Sequence, residues 1–84
     1  MIDVTCALIL FGDKILVTQR SSKMNLALKW EFPGGKLESN ETEVECIKRE
    51  IKEELNIEIV VLKALQNIIL DYIDFKIKLI PFVV

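Results

Sequence analysis

Three glutamates in the second half of this 84-residue chain are spaced in a way that suits metal-ion chemistry. Glu50, Glu53 and Glu54 stand at positions i, i+3 and i+4, so in a helix their side chains rise from one patch of its surface. Carboxylate oxygens are the ligands that Mg²⁺ and Mn²⁺ prefer, and magnesium is commonly held by a few carboxylates together with substrate phosphates. The spacing therefore indicates a place that holds a divalent cation against a phosphate.

The non-functional alternative is a solvated acidic face whose charge is offset by neighbouring cations, namely Lys48, Arg49 and Lys52. Two features favour the metal site. The acidic patch lies beside the apolar stripe of the predicted helix rather than opposite it, as expected at the wall of a cleft. Gly34 and Gly35 come shortly before the helix, and glycine lets the backbone approach a ligand closely.

The composition excludes several other kinds of chemistry. The chain has no histidine, which removes Ser-His-Asp and Cys-His catalysis and zinc held by histidine. A net charge of −2 argues against a binder of nucleic-acid polymers or anionic membranes. Cys6 and Cys46 match no metal-binding spacing, so we expect both to be buried thiols in a reducing cytoplasm. Neither a signal peptide nor an apolar run long enough to span a membrane is recognised.

The helix that carries the glutamates is clearly marked at both ends. Thr42 with Glu45 three residues later forms a capping-box pattern, so Thr42 is predicted to be the N-cap. Asn56 follows the last apolar residue, at the position where a left-handed cap is needed. Four apolar residues recur at helical spacing and are predicted to be the buried stripe: Val44, Ile47, Ile51 and Leu55.

The rest of the chain is predicted to form strands within a single domain, residues 1–84. Apolar and β-branched runs predict strands at residues 2–11, 15–19, 29–32, 57–62, 64–70 and 75–84. A turn at Gly12 is expected to join the first two into a hairpin. Residues 21–28 read as a polar loop. An exposed final strand would invite edge pairing, so dimerisation with a second copy is predicted there.

One stretch, residues 35–57, resembles the Nudix box. The matching residues are Gly35, Glu41, Arg49, Glu50, Ile51, Glu53, Glu54 and Ile57. Asn56 stands where the pattern has a glycine, and we interpret this as a change of helix cap. Thr18 to Arg20 and Lys29 to Glu38 are similar to the MutT-type branch of that family, which hydrolyses nucleoside triphosphates.

The resemblance implies a fold, a reaction and a set of roles. The implied fold is α+β, an α/β/α sandwich with a mixed sheet, of which this chain has the first two-thirds and lacks the C-terminal part. The implied reaction is attack by metal-activated water on a triphosphate, with 8-oxo-dGTP among the candidate substrates, releasing a nucleoside monophosphate and pyrophosphate. The implied ligands of Mg²⁺, or alternatively Mn²⁺, are Glu50, Glu53, Glu54 and the Gly35 carbonyl.

The remaining roles implied by the resemblance concern orientation and the substrate. Arg49 would orient the glutamates, and Glu53 or Glu54 would take the proton from the water. Arg20 and Phe32 would line the nucleotide pocket, and Lys36 would lie near the phosphates. The alternatives are a solvated Arg20, a Phe32 that is plain core, and a Lys36 that only balances Glu38. A second function of a different class also stands: a non-catalytic remnant that binds metal or nucleotide or serves as an interaction module.

Overall fold

The computed structural model describes residues 1–20 and 29–84, and within them the chain forms one helix and nine strands. The predicted loop at 21–28 lies outside the described residues. The elements are β1 (Ile2–Leu8), β2 (Leu10–Phe11), β3 (Lys14–Ile15), β4 (Thr18–Gln19), β5 (Trp30–Glu31), β6 (Gly34–Lys36), α1 (Glu43–Leu55), β7 (Lys63–Ala64), β8 (Ile68–Asp71) and β9 (Lys76–Val83).

A mixed five-stranded sheet forms the centre of the molecule. β1 runs parallel to β9 and antiparallel to β6, and both β7 and β8 pair antiparallel with β9. Two smaller pairs, β2 with β3 and β4 with β5, lie outside this sheet. The α+β class with a mixed sheet is therefore confirmed.

The position of β9 corrects one expectation from the sequence. The final strand was predicted to be an exposed edge, but β9 pairs with β1 on one side and with β7 and β8 on the other. Both rows of its backbone groups are therefore used within the chain, and the reason for predicting strand-to-strand dimerisation at β9 is removed.

The core lies between one face of the sheet and α1. Because side chains alternate along a strand, every second residue of β1 and β9 faces the helix. The fully packed cluster consists of Ala7, Ile9, Ile47, Ile51, Ile80 and Phe82. Leu55 packs against this cluster, whereas Val44 is 39% exposed, so its predicted burial is wrong. Cys46 is fully buried in its place, because the contact between α1 and the sheet begins at that residue.

The predicted helix boundaries are confirmed by their caps. The Thr42 hydroxyl accepts a hydrogen bond from the Glu45 N–H at 3.1 Å, and the Glu45 carboxylate accepts one from the Thr42 N–H at 2.8 Å. Asn56 is left-handed, with φ 55° and ψ 38°, and its N–H donates to the Lys52 carbonyl. These local interactions fix where α1 begins and ends.

The predicted strands are present in part. The hairpin is confirmed, with Gly12 at φ 61° between β2 and β3. The predicted run 2–11 is divided at Ile9 into β1 and β2, and 15–19 contributes only short pieces. Residues 57–62 form no regular strand, although Ile59 and Val61 pack against the core while Val60 and Leu62 are exposed by more than two thirds. The glycine pair instead forms β6.

Within the described residues, no helix combines the length and the apolar character that crossing a membrane requires.

Candidate active site

Arg49, midway along α1, is the centre of an ion-pair network. Its Nε and Nη2 donate to the two carboxylate oxygens of Glu41 at 2.9 and 2.8 Å, a planar two-bond arrangement that only arginine makes. Its Nη1 donates to Glu50 at 2.9 Å and lies 3.4 Å from Glu53 and 3.3 Å from Glu38. The predicted orienting role of Arg49 thus has a geometric basis.

The ionisation of these partners reflects the network. Hydrogen bonds from Arg49, and then from the Glu38 N–H, lower the pKa of Glu41 to about 2. The hydrogen bond with Glu41 also raises the pKa of Arg49, with Glu50 adding to the effect. Glu41 and Arg49 are therefore both charged near neutral pH, so the network does not loosen by titration there.

Glu50 packs directly on the backbone of β6. A Cβ placed on Gly35 would overlap the Glu50 carboxyl group, with its centre 2.5 Å from Oε2. A Cβ on Gly34 would instead overlap the backbone of β1, only 2.7 Å from the Cys6 Cα. The two glycines are thus required for different reasons: Gly34 lets β6 approach β1, and Gly35 lets the Glu50 carboxylate approach β6.

Glu54 contacts the same glycine pair through the Gly34 backbone. Burial is the first cause that raises the pKa of Glu54, and the charge of Glu50 is the second. A hydrogen bond from the Gly34 backbone opposes both effects, while Glu31 and Glu53 add further negative charge. A carboxylate among carboxylates is stabilised by a cation, which is the electrostatic setting of a metal ligand.

The direction of the backbone carbonyls distinguishes the two glycines. The Pro33 carbonyl accepts a hydrogen bond from the Ala7 N–H, so the next N–H, that of Gly34, points away from β1. The Gly35 carbonyl, the predicted metal ligand, accepts a hydrogen bond from the Thr5 hydroxyl at 3.2 Å. Because successive peptide groups of a strand point to opposite sides, the Gly34 carbonyl is the one directed to the side of Glu54.

A single cleft joins most of the predicted site residues. Its volume is about 1660 Å³, and it lies over the face of the sheet opposite α1. Both Glu50 and Glu54 line it, together with the predicted substrate residues Arg20, Phe32 and Lys36. The glycine pair and the aromatic residues Trp30, Tyr72 and Phe75 complete part of its wall.

The structure bears on the two non-functional alternatives, a solvated Arg20 and a Phe32 buried in the core. Arg20 is not simply solvated, because its Nη1 lies 3.2 Å from the Glu31 carboxylate across the β4–β5 pair. Phe32 is 38% exposed and therefore not plain core. Both thus present accessible side-chain surface at the cleft.

Glu53 is the predicted ligand that the structure does not bring to the cleft. Its side chain is 59% exposed and turns towards Arg49, its neighbour at i−4. Consistently, no three Cys, Asp or Glu side chains among residues 1–20 and 29–84 are grouped closely enough to hold a metal ion. The complete three-glutamate set therefore stays a prediction, with Glu50 and Glu54 as the pair that the fold brings to one cleft.

The sequence matches one known family of protein domains. Residues 1–77 match the NUDIX domain. The chain belongs to the Nudix family. Nudix hydrolases generally use divalent metal ions and act on small nucleotide substrates.

Several Nudix proteins are similar to this chain and are longer than it. An 8-oxo-dGTP diphosphatase of Proteus vulgaris is 38% identical over 72 residues, which are 86% of this chain and 64% of that protein. The CTP pyrophosphohydrolase of Escherichia coli is 45% identical over 58 residues, 69% of this chain and 43% of that protein. The crystal structure of a MutT protein from Methanosarcina mazei superposes with a TM-score of 0.90 at 30% identity, covering 98% of this chain and 61% of that one. The chain thus spans less than two thirds of these Nudix relatives.

Sequence reasoning missed three contributors to the site. Glu41 was recognised only as part of the Nudix pattern, although it makes the closest ion pair with Arg49. Cys46 was predicted only to be a buried thiol, and Thr5 was noted only as part of the first predicted strand, although both contact the β6 backbone. For Glu41 a signal existed, since the family pattern fixes it eight residues before Arg49, but no local rule pairs two residues at that distance.

Proposed function

We propose that this chain carries the catalytic segment of a divalent-metal-dependent hydrolase that converts nucleoside triphosphates into nucleoside monophosphates and pyrophosphate. The observation that carries the proposal is the shared cleft. The carboxylates of Glu50 and Glu54 line the same space as Arg20, Phe32 and Lys36, which supply cationic and aromatic groups suited to a nucleotide.

The residues present fit a divalent cation. The candidate ligands are all oxygens: the carboxylates of Glu50, Glu53 and Glu54 and a carbonyl of the glycine pair. Such a set suits Mg²⁺, with Mn²⁺ as the alternative, and disfavours zinc. When bound, the ion would neutralise charge developing on the phosphates and lower the pKa of an attacking water. The predicted Gly35 carbonyl stays a candidate, while the direction of the β6 peptides favours that of Gly34.

The chain's own residues divide the remaining work. Arg49 would hold Glu50 and Glu53 in place through its Nη1. The carboxylate of Glu53 or Glu54 would accept the proton from the attacking water. Lys36 would contact the triphosphate.

Two further parts of the proposal concern the substrate and the cell compartment. The names of the relatives from Proteus vulgaris and Escherichia coli support 8-oxo-dGTP and CTP as the first triphosphates to test. A cytoplasmic location is included because Cys6 and Cys46 are free thiols, as is usual in reducing compartments.

A second candidate function is a non-catalytic module that binds nucleotide or metal. It is favoured by one specific observation: in the described part of the chain, Glu53 turns to Arg49 rather than joining Glu50 and Glu54. A site with two carboxylates can bind a cation without completing the set needed for turnover.

Pyrophosphate release separates the two candidates. The wild-type protein would be assayed with 8-oxo-dGTP, CTP and the common triphosphates in Mg²⁺, beside Glu53→Gln and the control Glu58→Gln. Glu58 is exposed just after the helix and has no assigned role. We expect Glu53→Gln to lower kcat/KM by about 10–100-fold and Glu58→Gln to leave it unchanged. Activity insensitive to Glu53→Gln would sink the metal-site assignment, whereas nucleotide binding without turnover by the wild type would establish the binding module.

A further inference from the structure

A buried polar pair connects the core to the backbone of β6. Thr5 is 1% exposed and Cys46 is fully buried, and their Oγ1 and Sγ atoms lie 3.2 Å apart. Thr5 comes from β1 and Cys46 from α1, so this contact joins the two elements that flank β6. Polar side chains buried at this depth cost free energy unless they have partners, so their partners indicate what they hold.

The partners are two successive peptide carbonyls. The Thr5 hydroxyl donates to the Gly35 carbonyl at 3.2 Å, and the Cys46 thiol donates to the Lys36 carbonyl at 3.4 Å. Arg49 Nη2 donates to that same Lys36 carbonyl at 3.1 Å. Burial is the main cause that raises the pKa of the Cys46 thiol, so its proton stays in place as a donor. These bonds fix the orientation of the peptide groups on which Glu50 packs.

We propose that Thr5 and Cys46 are positioning residues that hold the Gly35 and Lys36 peptide groups against α1, so that the Gly34 backbone and the Glu50 carboxylate face the cleft. The effect is indirect, because the hydrogen bonds of these two side chains go to the β6 carbonyls and not to the carboxylates of Glu50 or Glu54. The proposal rests on the proposed function in so far as the held groups serve a metal ion.

Isosteric variants test the pair. Thr5→Val removes the hydroxyl and keeps the branched shape, whereas Thr5→Ser keeps the hydroxyl and removes the methyl. Ile80→Val is the control for core packing, because Ile80 is the register partner of Thr5 on β9 and is 2% exposed. Like Thr5→Ser, it removes one methyl-sized group and no hydrogen bond. Cys46→Ala and Cys46→Ser form the corresponding pair on α1, with a smaller expected effect because a thiol is a weak donor.

Two readouts that do not depend on turnover are measured. The first is amide hydrogen exchange of Leu37, whose N–H donates to the Asp3 carbonyl next to the held peptides, relative to that of Ile51 in α1. The second is Mn²⁺ binding without nucleotide, followed by electron paramagnetic resonance. Loss of a buried hydrogen bond of this kind predicts changes of about tenfold in each for Thr5→Val.

The expected pattern is selective. Thr5→Val accelerates hydrogen exchange at Leu37 more than at Ile51 and weakens Mn²⁺ binding. Thr5→Ser keeps the wild-type exchange at Leu37 and the wild-type Mn²⁺ affinity. Ile80→Val changes neither the ratio of the two exchange rates nor the Mn²⁺ affinity. Equal effects of Thr5→Val and Ile80→Val would show plain core packing and overturn the proposal. Absence of Mn²⁺ binding by the wild type would overturn the proposed function instead. Leu37 exchange alone would then decide whether the pair holds β6.

Discussion

Gly35→Ala tests the contact on which the candidate site depends most directly. The backbone conformation of Gly35 is one that other residues adopt, so alanine introduces no φ strain. Its Cβ, however, would lie 2.5 Å from Glu50 Oε2. An ordinary contact between such atoms is about 3.5 Å, and the other two carboxyl atoms of Glu50 would be nearer still, so the carboxylate must retreat by at least about 1 Å.

The consequences for stability and activity should differ sharply. The obstructing atoms are the end of a flexible side chain, and Gly→Ala lowers the entropy of the unfolded chain, so the free energy of unfolding should change by less than about 1 kcal/mol. A displacement of about 1 Å at a reacting site costs on the order of 100-fold in rate, and Mg²⁺ tolerates little departure from octahedral geometry. We therefore expect Gly35→Ala to fold normally and to lose about 100-fold in kcat/KM.

The assay combines pyrophosphate release with urea unfolding, and Gly34→Ala serves as the contrast. At Gly34 the added Cβ meets β1 backbone rather than a side chain, so that variant should lose fold stability as well. A double variant, Gly35→Ala with Glu50→Ala, should recover any stability lost by Gly35→Ala alone without recovering activity. If Gly35→Ala keeps kcat/KM within about threefold of the wild type, the placement of Glu50 over β6 is not needed for turnover and the reasoning fails.

Two further predictions concern the scaffold around the site. Ile51→Ala should lower the free energy of unfolding by about 3 kcal/mol because Ile51 is fully buried, whereas Val44→Ala on the same helix should cost less than about 1 kcal/mol; equal losses in urea unfolding would contradict the assigned core. For pH, the folded pKa of Glu41, about 2, lies below its ordinary 4.5, so its contribution to stability is complete above about pH 4.5 and is lost as the pH falls towards 2. Glu41→Gln should therefore flatten the acid limb of the stability profile, and an unchanged limb would refute the ion pair with Arg49.

The parts of the fold that the sequence predicts correctly are those decided by neighbouring residues. The caps of α1 depend on Thr42, Glu45 and Asn56, whose partners are at most four residues away. The hairpin at Gly12 depends on one turn. Glu50 and Glu54, which the family pattern singles out, line one cleft because a helix fixes the direction of each side chain from its position.

The parts that the sequence does not predict depend on distant partners. β9 reads as an edge strand because nothing local shows that β1 and β8 will pair with it. Val44 fits the apolar stripe but is 39% exposed, because the buried face of α1 consists of Cys46, Ile47 and Ile51. The Glu53 side chain can face either the cleft or Arg49. The i, i+4 spacing of Arg49 and Glu53 favours their ion pair, but the sequence does not show whether a cation in the cleft would draw the Glu53 carboxylate away from Arg49.

The parallel pairing of β1 with β9 has a consequence for the order of folding. The partners Ile2 and Ile77 are 77 − 2 = 75 positions apart, so β1 remains without this neighbour until residues 76–83 are present. Pairings of such high contact order form slowly, because the loop-closure entropy is lost before the contacts are gained. The capped helix can form early from its own residues, but β6 rests on β1, and β1 rests on β9. The glycine pair and the glutamates therefore acquire their final geometry only when residues 76–83 have entered the sheet.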